Sequence, residues 1–267
     1  MDDIDWLTQL PEECISRILA LTPVKDGCRA AAVSRTFRSI ASSDAVWEAR
    51  LPSDIKDVIS QSSSPSLPEF LNSLSRKDLY FRLSDHPLLI GTGNTFQSFG
   101  LEKESGKVRY MRGAKDLKIV WSDTPQYWQW EHDPQSRFGV VARLDHVWWL
   151  EIEGRIEARK LSLKTNYAAH FVFKLTEEAQ VFERKPVKLR VYSEGDDTQE
   201  AKQVLLEPPE GAPTQIRERQ DGWMEVHMGE FYNHSGDDGS IIFNLQQLAR
   251  SPYQGLIVEG IEIRPVN

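Results

Sequence analysis

Near residue 94 the apolar residues change their spacing from three and four to two, so a helical segment must be followed by a β segment. Downstream, the alternating sets are Leu117, Ile119 and Trp121; Trp148, Leu150 and Ile152; Tyr167, Ala169, Phe171, Phe173 and Leu175; Val187, Leu189 and Val191; and Met224, Val226 and Met228. Leu256 with Val258 and Ile261 with Ile263 close the series. Turn clusters such as Glu194-Gly195-Asp196-Asp197 and Ser235-Gly236-Asp237-Asp238-Gly239 separate these runs, and no long amphipathic helix intervenes. The pattern predicts an antiparallel, jelly-roll-like β-sandwich, and with the upstream helices an α+β chain. A chain of 267 residues has room for one such core and a small helical module.

The first fifty residues predict three short helices. Leu10-Pro11-Glu12-Glu13 opens the first, with Ile15, Ile18 and Leu19 on one face, and Thr22-Pro23 ends it. Asp26 is placed to cap a second, carrying Cys28, Ala32, Val33 and Phe37. Ser43 or Asp44 caps a third, which presents Trp47 and Leu51. Three helices of this size cannot build a stable core alone, so their apolar stripe calls for a partner. Ser60 to Pro68 is polar and carries two prolines, as expected of a linker, and residues 69–83 return to helical spacing. That connector is too apolar for a free tether and is expected to pack on the sandwich.

The composition removes several functions. A net charge of −8 without a Lys/Arg patch argues against nucleic acid. No run approaches the ~18 apolar residues of a membrane span, and the acidic start Met1-Asp2-Asp3-Ile4-Asp5 is unlike a signal peptide, so a cytoplasmic or nuclear protein is expected. The two cysteines, Cys14 and Cys28, lie in apolar-patterned segments and are expected to be buried free thiols. The six histidines show no metal-ligand spacing, Glu151 and Glu153 read as an outward strand face, and there is no phosphate loop or nucleophile elbow. The chain is expected to be non-catalytic and to need no cofactor. His170, between Ala169 and Phe171, is expected to point outward.

Leu10-Pro11-Glu12-Glu13 with Ile15, Ile18 and Leu19, then Val33-Ser34-Arg35-Thr36-Phe37-Arg38, then Trp47, resembles the F-box. The resemblance implies docking on a Skp-type adaptor, and through it a cullin and a RING subunit, with Leu10, Pro11, Ile15, Ile18, Leu19, Val33, Phe37 and Trp47 as adaptor-binding residues. Such docking answers the need for a partner, as a helix-in-groove contact. Trp121-Ser122-Asp123-Thr124-Pro125-Gln126-Tyr127-Trp128-Gln129-Trp130, Val147-Trp148-Trp149-Leu150-Glu151-Ile152, Asp221-Gly222-Trp223-Met224-Glu225 and Gly260-Ile261-Glu262-Ile263-Arg264-Pro265 are similar to the phloem protein 2 family, which includes the Nictaba-type lectins. The expected domains are an F-box over residues 1–52, a linker and helical connector over 53–90, and a lectin-like sandwich over 91–267. The implied function is that of a plant substrate receptor in an SCF-type ubiquitin ligase whose sandwich recruits a client protein; the alternative is a lectin for N-acetylglucosamine oligomers or an N-glycan core.

In the sugar-binding relatives, tryptophans matching Trp121 and Trp128 hold the glycan, with carboxylates on a later loop. Here Ser240 and Gln247 stand at the carboxylate positions, with Asp237 and Asp238 nearby. The resemblance therefore implies a glycan- or client-binding set of Trp121, Trp128, Asp237, Asp238, Ser240 and Gln247, weakened because neutral acceptors replace charged ones. Client and glycan are not identified by the sequence.

Overall fold

The computed structural model describes residues 10–91, 96–196, 198, 200–209, 211, 215–237, 239–248 and 252–266. It forms two compact units, one running to Leu88 and taking in Gly100–Val108, the other comprising Leu89–Phe99 and the chain from Arg109 onward.

The first unit is helical: α1 Glu12–Leu21, α2 Val24–Ala30, α3 Arg35–Ala41, α4 Asp44–Glu48, α5 Ile55–Ser60, α6 Leu67–Ser73 and α7 Arg76–Asp85. The three expected helices are four, because the run from Asp26 to Phe37 breaks after α2. Ser34 starts a new helix there, its hydroxyl accepting from the Phe37 amide at 3.2 Å. Trp47 organises the unit. Its indole donates to the Ala41 carbonyl at 2.8 Å, and the rings of Tyr80 and Phe81 lie 5.1 and 5.2 Å away. The linker shortens to residues 61–66, since Pro68 sits in the first turn of α6. The connector is α6 and α7, and within the helical unit it buries Leu71, Leu79, Tyr80 and Leu83. Cys14 and Cys28 are exposed, contrary to expectation. Each lies on the outer side of its helix, where helical spacing alone does not say which stripe is covered.

The second unit carries the β architecture, with strands β1 Leu88–Ile90, β2 Gln97–Leu101, β3 Val108–Gly113, β4 Lys118–Ile119, β5 Trp128–His132, β6 Val140–Leu144, β7 Leu150–Glu157, β8 Thr165–Gln180, β9 Val187–Ser193, β10 Lys202–Val204, β11 Ile216–Glu218, β12 Met224–Asn233, β13 Ser240–Gln247 and β14 Gln254–Pro265. The larger sheet runs β1-β2-β3-β14-β8-β12-β11, with β6 also on β14 and β5 on β6; the smaller runs β10-β9-β13-β7-β4. β14 pairs antiparallel with β8, β3 and β6, and β13 with β7 and β9. The α+β sandwich expected from the periodicity is the fold observed.

Between the sheets lie Tyr167, Ala169, Phe171 and Phe173 of β8, Val226 and Met228 of β12, and Ile152, Leu189, Val191, Phe243 and Leu245 of the smaller sheet, all buried. Contact across the layers is direct: a Cβ on Gly229 would stand 3.1 Å from Val191, and one on Gly154 would meet Leu117, Ile261 and Phe243. Along β14 the inward phase slips between Val258 and Ile261 because a bulge falls between Val258 and Gly260. Gly260 also brings β14 close to β3, since a Cβ there would stand 2.1 Å from the Arg112 carbonyl oxygen.

The outer face of the larger sheet is not bare. Val172 of β8 packs with Met111, Phe138, Val141 and Trp223 in a second apolar cluster. The segment after β5 is pinned over this face, with the Arg137 amide donating to Glu259 at 2.7 Å and the Trp223 indole donating to the Gln135 carbonyl at 3.2 Å. The Lys174 ammonium covers the Trp223 ring at 4.2 Å.

Candidate functional site

On the helical unit, the residues expected to meet an adaptor separate into two sets. Ile15, Leu19, Phe37 and Trp47 are buried inside the unit, so they shape its surface instead of offering it. Leu10 is half-buried, whereas Pro11, Ile18 and Val33 are exposed. Ile18 is 43% exposed, Val33 67% and Leu21 81%, and Leu21 was not foreseen. Residues 15 and 19 take the inner stripe of α1, and 14, 18 and 21 fall on the flank beside it, about 60–120° round the helix from Ile15. The sequence placed Ile18 with Ile15 and Leu19, yet a short helix has room to bury only one stripe.

The expected glycan set does not assemble as one site. Trp128 is 2% exposed and belongs to the core, its indole nitrogen buried without a hydrogen-bond partner. Gln247 is buried and donates its amide to the Pro186 carbonyl. Ser240 stands opposite Glu157 on β7, whereas Gln247 stands opposite Leu150. Seven residues of strand separate them by about 23 Å. Asp237, just before Ser240, is exposed at the Ser240 end, and Asp238 lies outside the described residues. Trp121 follows β4, whose Ile119 pairs with Ile152, and so lies at the Gln247 end.

What gathers around Trp121 is aromatic. Its backbone leaves β4 with φ of 61°, a left-handed conformation costing about 1 kcal/mol or more for a residue with a side chain, and of the kind concentrated at functional sites. The turn holds the indole out at 40% exposure, with Trp149 edge-on at 5.7 Å and Tyr127 at 5.5 Å. Trp148 is 55% exposed, with His146 against it at 5.8 Å. Alternation had set Trp148 inward beside Leu150 and Ile152, but β7 begins only at Leu150, so strand phase does not govern Trp148. The adjacent pair Trp148-Trp149 was the available signal, since two neighbouring strand residues cannot both point into the core.

A second polar region, on the outer face of the larger sheet, was not anticipated. His170 points away from the inner core, as expected of its place between Ala169 and Phe171, but it is buried, being flanked by His227 on β12 and Glu262 on β14. Glu262 accepts from Arg219 at 2.6 Å, and Glu225 takes both arms of Arg264 at 2.6 and 3.0 Å and Arg219 at 3.0 Å. Burial opposes the Glu262 charge, but Arg137, Arg219 and Arg264 hold its carboxyl down to about 2. Burial, then Arg264, pushes His170 down to about 4, so it is neutral at pH 7. Burial raises the Glu259 carboxyl. The alternating charges of β14, Glu262 and Arg264, were the sequence-level trace of this network.

Among the described residues, no group of three His, Cys, Asp or Glu is placed to hold a metal, and no helix is long and apolar enough to cross a membrane.

Comparison with known proteins agrees with this two-part construction. The family model of phloem protein 2 matches residues 107–265, and the F-box-like model matches residues 7–53. The putative F-box protein PP2-B8 of Arabidopsis thaliana is 39% identical over 276 residues, covering 98% of this chain and 88% of that protein. F-box protein PP2-B10 of the same plant is 40% identical over 263 residues, covering 96% and 92%. F-box protein VBF is 33% identical over 289 residues, covering 97% and 99%. Among solved structures, a family 35 carbohydrate binding module from Clostridium thermocellum aligns with a TM-score of 0.36 and 12% identity, over 59% of this chain and 98% of that one. The protein is thus of the class that joins an F-box-like helical module to a lectin-like β-sandwich. It belongs to the phloem protein 2 family, with its F-box-bearing members as relatives over nearly the whole chain.

Proposed function

We propose that this chain is the substrate-receptor subunit of an SCF-type ubiquitin ligase, its helical unit docking on a Skp-type adaptor and its sandwich presenting a client protein. The observation that carries this reading is the exposure of the apolar side chains Ile18 and Leu21 on α1 and Val33 between α2 and α3, within the segment that the F-box-like model matches. Side chains of this size left in water on so small a module each forgo about 1.5–3 kcal/mol of burial, which a hydrophobic groove on an adaptor returns. The division into an F-box of residues 1–52, a connector of 53–90 and a sandwich of 91–267 is part of this proposal. In it Ile18, Val33 and Leu21, with Leu10 and Pro11 at the start of α1, form the contact, and Ile15, Leu19, Phe37 and Trp47 hold that face in shape. The role is one of binding, with transfer chemistry left to the partners.

The test is co-purification of the full chain with a Skp-type adaptor, comparing wild type with an Ile18→Asp, Val33→Asp double variant. Both positions are exposed, so the variant should keep its circular dichroism spectrum and lose the complex. A complex that survives the double variant, or no complex with wild type, refutes the reading.

A second reading rests on a separate observation, the exposed Trp121 with Trp149 and the half-buried Tyr127 against it, and the exposed Trp148 next in the chain to Trp149. Flat aromatic faces suit the C–H side of a pyranose, so the sandwich is proposed to contact glycan through these residues, Trp128 being in the core. Client recruitment through a glycan joins the two readings.

A further inference from the structure

Beyond the aromatic cluster, the sandwich has a concave region on the outer face of the larger sheet. A cavity of about 570 Å³ is lined there by Ala168, His170, Lys202, Arg217, His227 and Arg264, among others. That volume lies in the range of small-molecule sites.

The groups at this cavity are under-satisfied in one direction of charge. Lys202 is half-buried, and its ammonium finds the His227 carbonyl at 3.2 Å but no carboxylate within 4.0 Å among the described residues. Burial lowers its pKa. Arg217 is exposed at the rim and makes no ion pair among the described residues. Burial first, then Lys202, Arg264 and Arg217, lower the pKa of His227, with Glu230 alone working against them. Lys202, Arg217 and Arg264 line the same cavity as this imidazole. Two carboxylates line the same cavity, but both are engaged: Glu225 is held by Arg264 and Arg219, and Glu230 accepts from Asn166 at 2.9 Å, so against Lys202, Arg217 and Arg264 the lining keeps one positive charge in excess. His170 is 8% exposed, yet its Nδ1 is buried with no hydrogen-bond partner, as is Nε2 of His227, which has Glu230 3.5 Å away. Buried polar atoms left unpaired cost about 1–3 kcal/mol each, a cost that a small rotation of either ring toward a ligand in the cavity would relieve. Ala168 and Pro265 supply an apolar wall.

We propose that this cavity binds a compact organic anion bearing a carboxylate or phosphate, with Lys202, Arg217 and Arg264 meeting the anionic group and the His170 and His227 imidazoles bonding its polar body. The neutral imidazoles act as hydrogen-bonding groups in this arrangement, and the cations supply the charge. Arg264 is held in place by Glu225, which fixes its guanidinium before the ligand arrives. The site uses none of the exposed tryptophans and is independent of adaptor docking.

The test titrates the full chain with glucose 6-phosphate, glucuronate and uncharged glucose, following the imidazole carbon–proton resonances of His170 and His227 by NMR and the heat of binding by calorimetry. At least one of the two anions should shift both resonances and saturate with a Kd of about 1 mM or tighter, and glucose should do neither. The anion that binds identifies the group recognised. A Lys202→Ala, Arg217→Ala double variant should weaken binding about tenfold or more with an unchanged thermal midpoint, while Trp121→Ala should leave it intact. Failure of both anions to shift the resonances, equal binding of glucose, or full affinity in the double variant overturns the proposal.

Discussion

Replacing Glu262 by Gln tests whether the charge network on the larger sheet stabilises the sandwich through its carboxylate. Glu262 is 4% exposed; its Oε2 lies 2.6 Å from Arg219 and 3.6 Å from Arg264, and its Oε1 lies 3.6 Å from Arg137. Those guanidinium groups outweigh burial and hold the carboxyl down to about 2, against an ordinary value of 4.5. A carboxyl whose folded pKa is depressed adds stability that is fully present above pH 4.5 and is lost as pH falls toward about 2. A gap of about 2.5 pH units at ~1.4 kcal/mol each gives about 3–3.5 kcal/mol. Gln keeps the shape but leaves Arg219 and Arg137 facing a neutral amide, so the variant should lose about 3 kcal/mol at pH 7, in line with breaking a buried pair. The assay is urea unfolding followed by tryptophan fluorescence at pH 7, 5, 4 and 3. His170, with its pKa lowered to about 4 although Glu262 raises it, weakens both proteins alike between pH 6.5 and about 4.5, so the difference between them should hold steady there and shrink below about pH 4.5. A difference below about 1 kcal/mol at pH 7, or one that stays constant down to pH 3, refutes the reasoning.

Two further predictions concern packing. Gly260→Ala would drive a methyl into the Arg112 carbonyl oxygen, 2.1 Å from the ideal Cβ position, so β14 and β3 must part; urea unfolding should show a loss of about 2 kcal/mol or more, and a loss under about 0.5 kcal/mol would deny the close approach. Trp128→Ala should cost about 3–5 kcal/mol, Trp121→Ala less than about 1 kcal/mol, and only Trp121→Ala should reduce retention on chitin without moving the thermal midpoint; equal stability losses would mean that the two indoles share one environment.

The periodicity change near residue 94 was enough to order the chain as helices before a sandwich, because helix and strand impose different spacings whatever surrounds them. The turn and cap signals were equally local. Thr22-Pro23 ended α1, and Ser34 could have been read as a cap at the break between α2 and α3. The family motifs likewise lie in contiguous residues and were legible.

What is covered was not legible. Alternation assigns Ala169 and His170 to opposite faces of β8, but the network of Glu262, Arg219 and Arg264 buries His170 along with its neighbour. Helical spacing groups Ile15, Ile18 and Leu19, but the packing of α1 covers only Ile15 and Leu19. Trp121 and Trp128 are seven residues apart in one aromatic-rich segment, yet one is turned out by a left-handed backbone and the other is the buried first residue of β5. Ser240 and Gln247 are equally close in the chain, but an extended strand carries them to opposite ends of the sheet. The sequence by itself determined the kinds of element, their order and the family. Only the tertiary structure decided which faces meet water, because burial depends on residues that the chain brings together from far apart: Glu259 on the Arg137 amide, Trp149 on Trp121, and Lys202 on the His227 carbonyl.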